Sequence, residues 1–402
     1  MIIRNIFILP TDQVVALNIV RDLVEYRKDI VILCSPEGKI EWLKRSQFKT
    51  NIEYIDSVRN YFDNLERIEP DEINLIFPTH DLDWFKILAV DSVLEKCFIP
   101  DVKTLKIILD KERLYNFLQR SGVPFLKTFS KVSEIVFPVV VKEKRRIKED
   151  FWRIFHSKFL RVSNKEELEK AILTYGDIDN LIFQENLPKT PQNEFSVIGY
   201  RFKNGQVIGK CVQKTHQIPQ GGVTTFAEYY ELERIQEYGR KILDLLSYNG
   251  IFEIEFLYSK EKDEYYFIDF NARCCHWYNM LSGSGINLPL TALQEIKGIN
   301  GSPPDFYPKK FMDLKSELMS HVIYGNTLWI TIKRLGWLLR TIRREDIVFA
   351  VYSRMDKPCS RYLLAEIFRN IYRYYFQVFF KVKVKKLLIR LGMYRYLKKA
   401  EE

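Results

Sequence analysis

Cysteine is scarce. Cys34, Cys97, Cys211, Cys274, Cys275 and Cys359 are the whole set, and their spacing fits neither a disulfide framework nor a zinc site, so they read as buried or incidental thiols in a reducing compartment. No uninterrupted apolar run approaches the ~20 residues that a membrane span requires. The N-terminal Met1-Ile2-Ile3-Arg4-Asn5 leads straight into an apolar run that reads as a first strand, not as a secretory signal. A Ser/His/Asp constellation for nucleophilic catalysis is missing, and no nucleic-acid-binding module accompanies the basic residues, which argues against nucleic acid as a partner. Glycine is absent throughout Glu143 to Arg161, a basic and aromatic stretch that includes Lys144, Arg145, Arg146, Phe151 and Trp152.

What is present describes a globular protein. With 402 residues and 47% hydrophobic content, the chain is long enough for two or three domains with sizeable cores. Its net charge of +10 is uneven: Arg361 to Glu402 holds eleven Lys/Arg against three Glu, a net of +8, so the rest is nearly neutral.

Ile2–Leu9 reads as a strand, Asp12–Tyr26 as a helix and Asp29–Cys34 as a second strand. Asn51–Ile55 and Asn74–Phe77 add short strands, with helical stretches such as Val58–Glu66 between them. This alternation predicts a doubly wound parallel sheet. Asp81 follows a strand end, where such sheets contact ligands, although a helix N-cap is the commoner role for it. A helix over Glu112–Arg120 stops at Ser121-Gly122-Val123-Pro124. Phe137–Lys142 is a short buried strand ending on a lysine, and a helix over Val162–Ala171 begins at a Ser163/Asn164 cap. Asn180–Pro188 is an apolar strand turning polar, Glu194–Tyr200 and Gln206–Gln213 form a hairpin, and Tyr229–Ser247 reads as a helix.

Gly250 to Arg273 carries the most information. Two alternating runs flank a charged loop, Ser259 to Glu264, and so predict a β-hairpin. Phe252, Ile254 and Phe256 share one face and Glu253 and Glu255 the other; Asp269 and Asn271 point together on the second strand. A turn near Lys262 sets Glu255 across from Asp269 and Glu253 across from Asn271. Facing carboxylates roughly 5 Å apart repel, so this face calls for a cation. The donors are hard oxygens of the kind Mg²⁺ shares with phosphates. A solvated polar face is the alternative.

From Thr104 to Gly298 the succession resembles the ATP-grasp ligases. The resemblance rests on Asp110-Lys111, the Gly-Val-Pro stop, F-P-V-V-V-K, F-Q-E-N-L-P, N-E-F-S-V, G-I-F-E-I-E-F, F-I-D-F-N-A-R and Gly283-Ser284-Gly285-Ile286-Asn287-Leu288-Pro289. It implies an α/β fold: a Rossmann-like pre-ATP-grasp domain over 1–103, a two-lobed ATP-grasp domain over 104–300, and a basic, mostly helical extension over 301–402. By the same resemblance Glu255, Asp269 and Asn271 are metal ligands, with Mg²⁺ or Mn²⁺ bridging to ATP. Arg273 stabilises the transferring phosphoryl group, Lys142 and Lys111 contact phosphates, and Lys214 is a basic residue of the substrate side. Gln184, Glu185, Asn186 and Leu187 form the adenine hinge, and Glu194 binds the ribose. Glu253 is a salt-bridge neighbour.

The implied reaction activates a carboxylate as an acyl phosphate for attack by an amine, both small molecules, in the cytoplasm. D-aspartate ligase-like and carbamoyl-phosphate-synthase-like proteins, and enzymes of surface-polymer synthesis, are the nearest types. Many relatives wrap phosphates with a glycine-rich loop after the first lysine, and this chain departs from them there. Lys158 or the Lys144-Arg145-Arg146 cluster could substitute through side chains. Alternatively the loop serves another substrate, or ATP binds poorly. Two rival functions follow: an ATP-binding regulatory protein with degenerate catalysis, and a small-molecule kinase. Cys274 and Cys275 read as packing thiols, and His276 as a candidate pocket group. The tail, Ile371–Leu397, reads as aromatics packed on the body with a solvated basic face. Peripheral contact with the inner membrane face or an anionic polymer is its alternative, and a homodimer is an admissible assembly.

Overall fold

The computed structural model describes residues 2–24, 32–34, 40–49, 52–54, 72–91, 94, 97–129, 131–147, 150–190, 192–218, 223–299, 305–323, 336–338 and 340–373. The expected helix Val58–Glu66 and the tail past 373 lie outside them.

Three sheets organise these residues. The first contains β1 (Ile2–Leu9), β2 (Ile32–Cys34), β3 (Ile52–Tyr54), β4 (Glu72–Pro78) and β5 (Cys97–Phe98), in the order β3-β2-β1-β4-β5. All its pairings are parallel, as the strand–helix alternation predicts. The helix Gln13–Val24 is buried along most of its length. Its start is set by Asp12, whose carboxylate accepts from the backbone N–H of Val14 at 2.9 Å and Val15 at 3.2 Å.

A small antiparallel sheet follows: β6 (Thr128–Phe129), β7 (Val139–Glu143), β8 (Leu160–Val162) and β9 (Leu181–Glu185), ordered β6-β9-β7-β8. Because β8 uses Val162, the adjoining helix starts later than expected, at Lys165. Asn164 caps it by accepting from Glu167 N–H at 2.9 Å, and Gly176, at φ +81°, ends it at Tyr175. The glycine-free stretch also holds a short helix, Asp150–Phe155. Phe151 anchors it in the lobe's core between Phe155 and Tyr175, with ring centroids at 4.7 and 5.5 Å.

The third sheet comprises β10 (Glu194–Arg201), β11 (Val207–Gln217), β12 (Thr224–Tyr229), β13 (Gly250–Ser259), β14 (Glu264–Asn271), β15 (Lys310–Met312) and β16 (Ile347–Phe349). Its order is β14-β13-β10-β11-β12-β15-β16, antiparallel except for the last pair. The helix that sequence extends over Tyr229–Ser247 is Glu233–Leu245, because Thr224–Tyr229 joins the sheet instead. Alternation decides the two faces of β13. Phe252, Ile254 and Phe256 pack with Ile235, Ile242 and Leu243 of that helix, each burial contributing about 1.5–3 kcal/mol. The glutamates face the other way, toward the small sheet.

Past residue 300 the chain supplies β15 and β16 to this sheet and then returns to the first domain. The helix Lys357–Arg373 packs beside Trp42, where Tyr362 meets it edge-on at 5.3 Å. Cys97, Cys211, Cys274, Cys275 and Cys359 are buried free thiols. Among the described residues no helix is long and apolar enough to cross a membrane.

Asp356 fastens this return. Its buried carboxylate accepts from Arg21 at 2.9 Å, Ser46 Oγ at 2.8 Å and Gln47 N–H at 3.1 Å. Asp356→Ala strands the Arg21 guanidinium, and loss of one partner of a buried pair costs about 3–5 kcal/mol. Urea denaturation should show that loss; a change under about 0.5 kcal/mol would mean the junction is not held this way.

Candidate active site

A cleft of 460 Å³ opens between the small sheet and the polar face of the large one, with the loop after β4 closing one end. Lys111, Lys142, Gln184, Glu185, Asn186, Leu187, Glu194, Lys214, Glu255, Asp269, Asn271 and Arg273 all line it. Twelve positions chosen for separate roles are thus brought together.

The hairpin has the expected register, Glu253 opposite Asn271 and Glu255 opposite Asp269. Its electrostatic problem is met first by Lys214 on β11, whose ammonium lies 2.9 Å from Glu253, 3.2 Å from Glu255 and 3.4 Å from Glu194. Burial would lower this lysine's pKa, but the three carboxylates outweigh it and hold the ammonium well above its ordinary value. Glu253, the salt-bridge neighbour, also accepts from Ser196 Oγ at 3.0 Å and from Asn271 Nδ2 at 3.0 Å. The same amide donates to Glu255 at 2.9 Å, while its oxygen accepts from Arg273 at 3.0 Å.

Glu194 takes a second lysine, Lys189, at 3.0 Å. Burial would raise its carboxyl, yet Lys189 and Lys214 prevail and lower it to about 2. Asp269 pairs with Lys111; burial is overcome there too, and Lys111 and Lys142 depress its pKa. Glu255 goes the other way. Burial pushes it up against the pull of Lys214, and the charges of Glu253, Glu194 and Asp269 add to the rise.

A register shift after Glu255 leaves Ile268 as the extra residue of a bulge. Its carbonyl accepts from Tyr115 Oη at 2.7 Å and Lys142 Nζ at 3.4 Å, and Lys142 donates to the same phenol at 2.8 Å. Burial lowers the Lys142 ammonium to about 8, with Asp269 opposing. Sequence reading missed Tyr115 and the bulge. Apolar Leu126, Leu187, Leu257 and Ile268 form a slot at this end of the cleft beside Gln184, Glu185 and Asn186.

Arg273 is pinned before any ligand arrives. Its Nε donates to Asp81 Oδ1 at 2.8 Å and its Nη1 to Cys274 O at 3.1 Å. The helix cap expected of Asp81 belongs instead to His80, whose Nδ1 accepts from Leu82 N–H at 3.2 Å. Asp81 is released to pair with the arginine. Trp84 of the same helix donates from Nε1 to Ala272 O at 2.9 Å, fixing the first domain against the end of β14.

Cys274 and Cys275 are buried, and burial drives both thiols well above their usual range, so they stay protonated and packed. His276 lies between Asp12 and Asp313, with ring nitrogens 3.3 Å from each. Burial disfavours its charge, but the two carboxylates raise it to about 10.

Glu255, Asp269 and the Asn271 amide oxygen suit Mg²⁺, which takes one or two carboxylates together with substrate phosphates. The crowding that raises Glu255, with Lys214 shared among three carboxylates, is what a further cation would relieve. Among the described residues no group of three or more His, Cys, Asp or Glu side chains could hold a metal ion, so phosphate oxygens would have to complete the shell.

No protein-family model and no curated protein matches the sequence. Solved structures do match. Biotin carboxylase from Campylobacter jejuni, in a β,γ-ATP complex, is 18% identical with a TM-score of 0.55, over 76% of this chain and 74% of that one. N5-carboxyaminoimidazole ribonucleotide synthetase from Thermotoga maritima is 16% identical with a TM-score of 0.55, over 77% and 80%. The Aspergillus clavatus N5-carboxyaminoimidazole synthase, with ADP and aminoimidazole ribonucleotide, is 12% identical with a TM-score of 0.59, over 85% and 99%. The chain has the ATP-grasp fold.

The His276 clamp sets a pH dependence. A histidine whose pKa rises from 6.5 to about 10 on folding contributes stability that is full below about pH 6.5 and lost as pH climbs through 10. Thermal midpoints should fall over that range, and fall less in His276→Asn. Parallel curves for the two proteins would exclude the clamp as a stabilising element.

Proposed function

We propose that the protein is an ATP- and Mg²⁺-dependent ligase that joins a small carboxylic acid to an amine. The observation that carries this reading is the convergence of twelve side chains on one cleft, with an apolar slot at one end and an array of cations and carboxylates at the other. The nucleotides bound by the biotin carboxylase and the fungal synthase support the same use of the cleft.

In this reading adenine enters the slot against the Gln184–Leu187 hinge, and Glu194 meets the ribose. Lys142 and Lys111 neutralise the phosphates. Glu255, Asp269 and Asn271 would hold Mg²⁺, which would supply charge neutralisation for the phosphates. The acid's carboxylate attacks the γ-phosphorus; an O–P bond forms, the bond to the β-phosphate oxygen breaks, and ADP leaves. Arg273, fixed by Asp81 and Asn271, presents a preorganised fork to the charge on the transferring group. The amine then attacks the acyl carbon, phosphate departs, and the nitrogen loses a proton. His276 is not the base, since at neutral pH it already carries its proton. A neutral amine needs little activation. In this reading the reaction is cytoplasmic and serves surface-polymer or secondary-metabolite synthesis.

Incubation with Mg-ATP and pools of acids and amines, followed by ADP and phosphate assays, tests the proposal. Phosphate released only when both co-substrates are present is the expected result. Glu255→Gln with Asp269→Asn should cut turnover by more than about 100-fold, the scale of losing major transition-state electrostatics. Phosphorylated product without phosphate release would instead indicate a kinase. Absence of nucleotide binding by calorimetry would rule out both enzymes.

A further inference from the structure

The glycine-free stretch does not have the build of a wrapping loop. Asp150–Phe155 is helical, and buried Phe151 ties it to the small lobe. Either side of this helix cations line the cleft, Lys144 and Arg146 before it and Lys158 and Arg161 after it; Lys144 is held by Glu112 at 3.0 Å, and Arg146 and Lys158 are the two whose charges reach Asp81.

Their surroundings are unbalanced in charge. Asp81 is the carboxylate that both Arg146 and Arg273 approach, and its Oδ1 is already taken by Arg273 at 2.8 Å. Arg146 reaches only to 4.0 Å from Oδ2. Among the described residues no hydrogen bond or ion pair holds Lys158, although its ammonium feels Arg146, Glu255, Arg273 and Asp81. Desolvation in the cleft, followed by the repulsion of Arg146, brings it down to about 8. A fourth donor is His80. Burial lowers its pKa to about 3, and with Nδ1 accepting from Leu82 the proton resides on Nε2. Three cations and a neutral N–H donor gather around Asp81, and the other carboxylate whose field Lys158 feels, Glu255, is already engaged by Lys214 at 3.2 Å.

We propose that Arg146, Lys158, Arg273 and His80 form an oxyanion subsite that grips the terminal phosphate of ATP through side chains, in place of a glycine-rich backbone cradle. The inference rests on the ATP-binding reading of this cleft. Lys158 feels the field of Glu255, a candidate metal ligand, which puts the subsite beside the phosphate end. Side-chain grips differ from backbone ones in consequence: three of the four donors carry a full charge, so the subsite discriminates by phosphate count and not by shape alone.

Calorimetry with Mg-ATP and Mg-ADP on the full chain tests this, using wild type, Arg146→Met, Lys158→Met and the double variant, with circular dichroism melts to establish folding. Wild type should prefer ATP. The double variant should lose at least about 10-fold of that preference while its ADP affinity stays within about 2-fold, as expected when charge-assisted contacts to the terminal phosphate alone are removed. Lys158→Arg should retain the preference, and Lys165→Met, outside the cleft, should leave it unchanged. If the double variant keeps the wild-type ATP/ADP ratio, the subsite is overturned while the ligase reading stands; the acid's carboxylate would then be the anion served by these cations. Equal weakening of ATP and ADP also overturns it. If wild type binds neither nucleotide, both readings fall.

Discussion

One buried ammonium governs the polar face of the large sheet. Lys214 sits within 3.4 Å of Glu194, Glu253 and Glu255, carboxylates supplied by β10 and β13. A single positive charge cannot neutralise three negative ones, and in a low-dielectric interior the remainder is felt strongly. The surplus is spread through Lys189 on Glu194 and through Asn271, which links both hairpin glutamates to Arg273. The sheet therefore tolerates its acids only as part of a connected array, and that array is the floor of the cleft. Stability and ligand attraction arise from the same incomplete charge balance.

Most of this floor was legible in the sequence, for a physical reason. A strand's side chains alternate with period two, so the composition of each face can be read locally, and a short turn fixes which acids oppose which. The parallel first sheet was readable for a similar reason, since strand–helix alternation admits few other topologies. What escaped were features decided by distant segments. Asp81 has the local pattern of a cap, but His80 takes that place and frees it for Arg273, 192 residues away. The strand Thr224–Tyr229 opens with four consecutive buried residues and so lacks alternation. The bulge that turns the Ile268 carbonyl toward Tyr115 and Lys142 has no marker in composition.

The region between Glu143 and Arg161 shows the limit of reading by family pattern. Missing glycine signals that a backbone cradle is lacking, yet it does not say what stands there. The fold supplies the answer through Phe151, whose burial commits the middle of the stretch to the lobe and leaves Arg146 and Lys158 at the cleft. A loop that wraps a ligand can adapt to it; a packed helix carrying cations at its flanks moves only with its lobe.

The clamp at His276 has a consequence for how the protein comes into being. Asp12 precedes His276 by 264 residues, and the other carboxylate, Asp313, lies beside β15, the strand that extends the large sheet past residue 300. During synthesis Asp12 emerges long before His276 or Asp313, and the polar floor of the cleft is complete before the segment that closes its far edge. A chain ending near residue 300 would lack Asp313, so its histidine would be tethered on one side only. The finished cleft is therefore a late product of translation, assembled when the C-terminal part folds back onto the beginning.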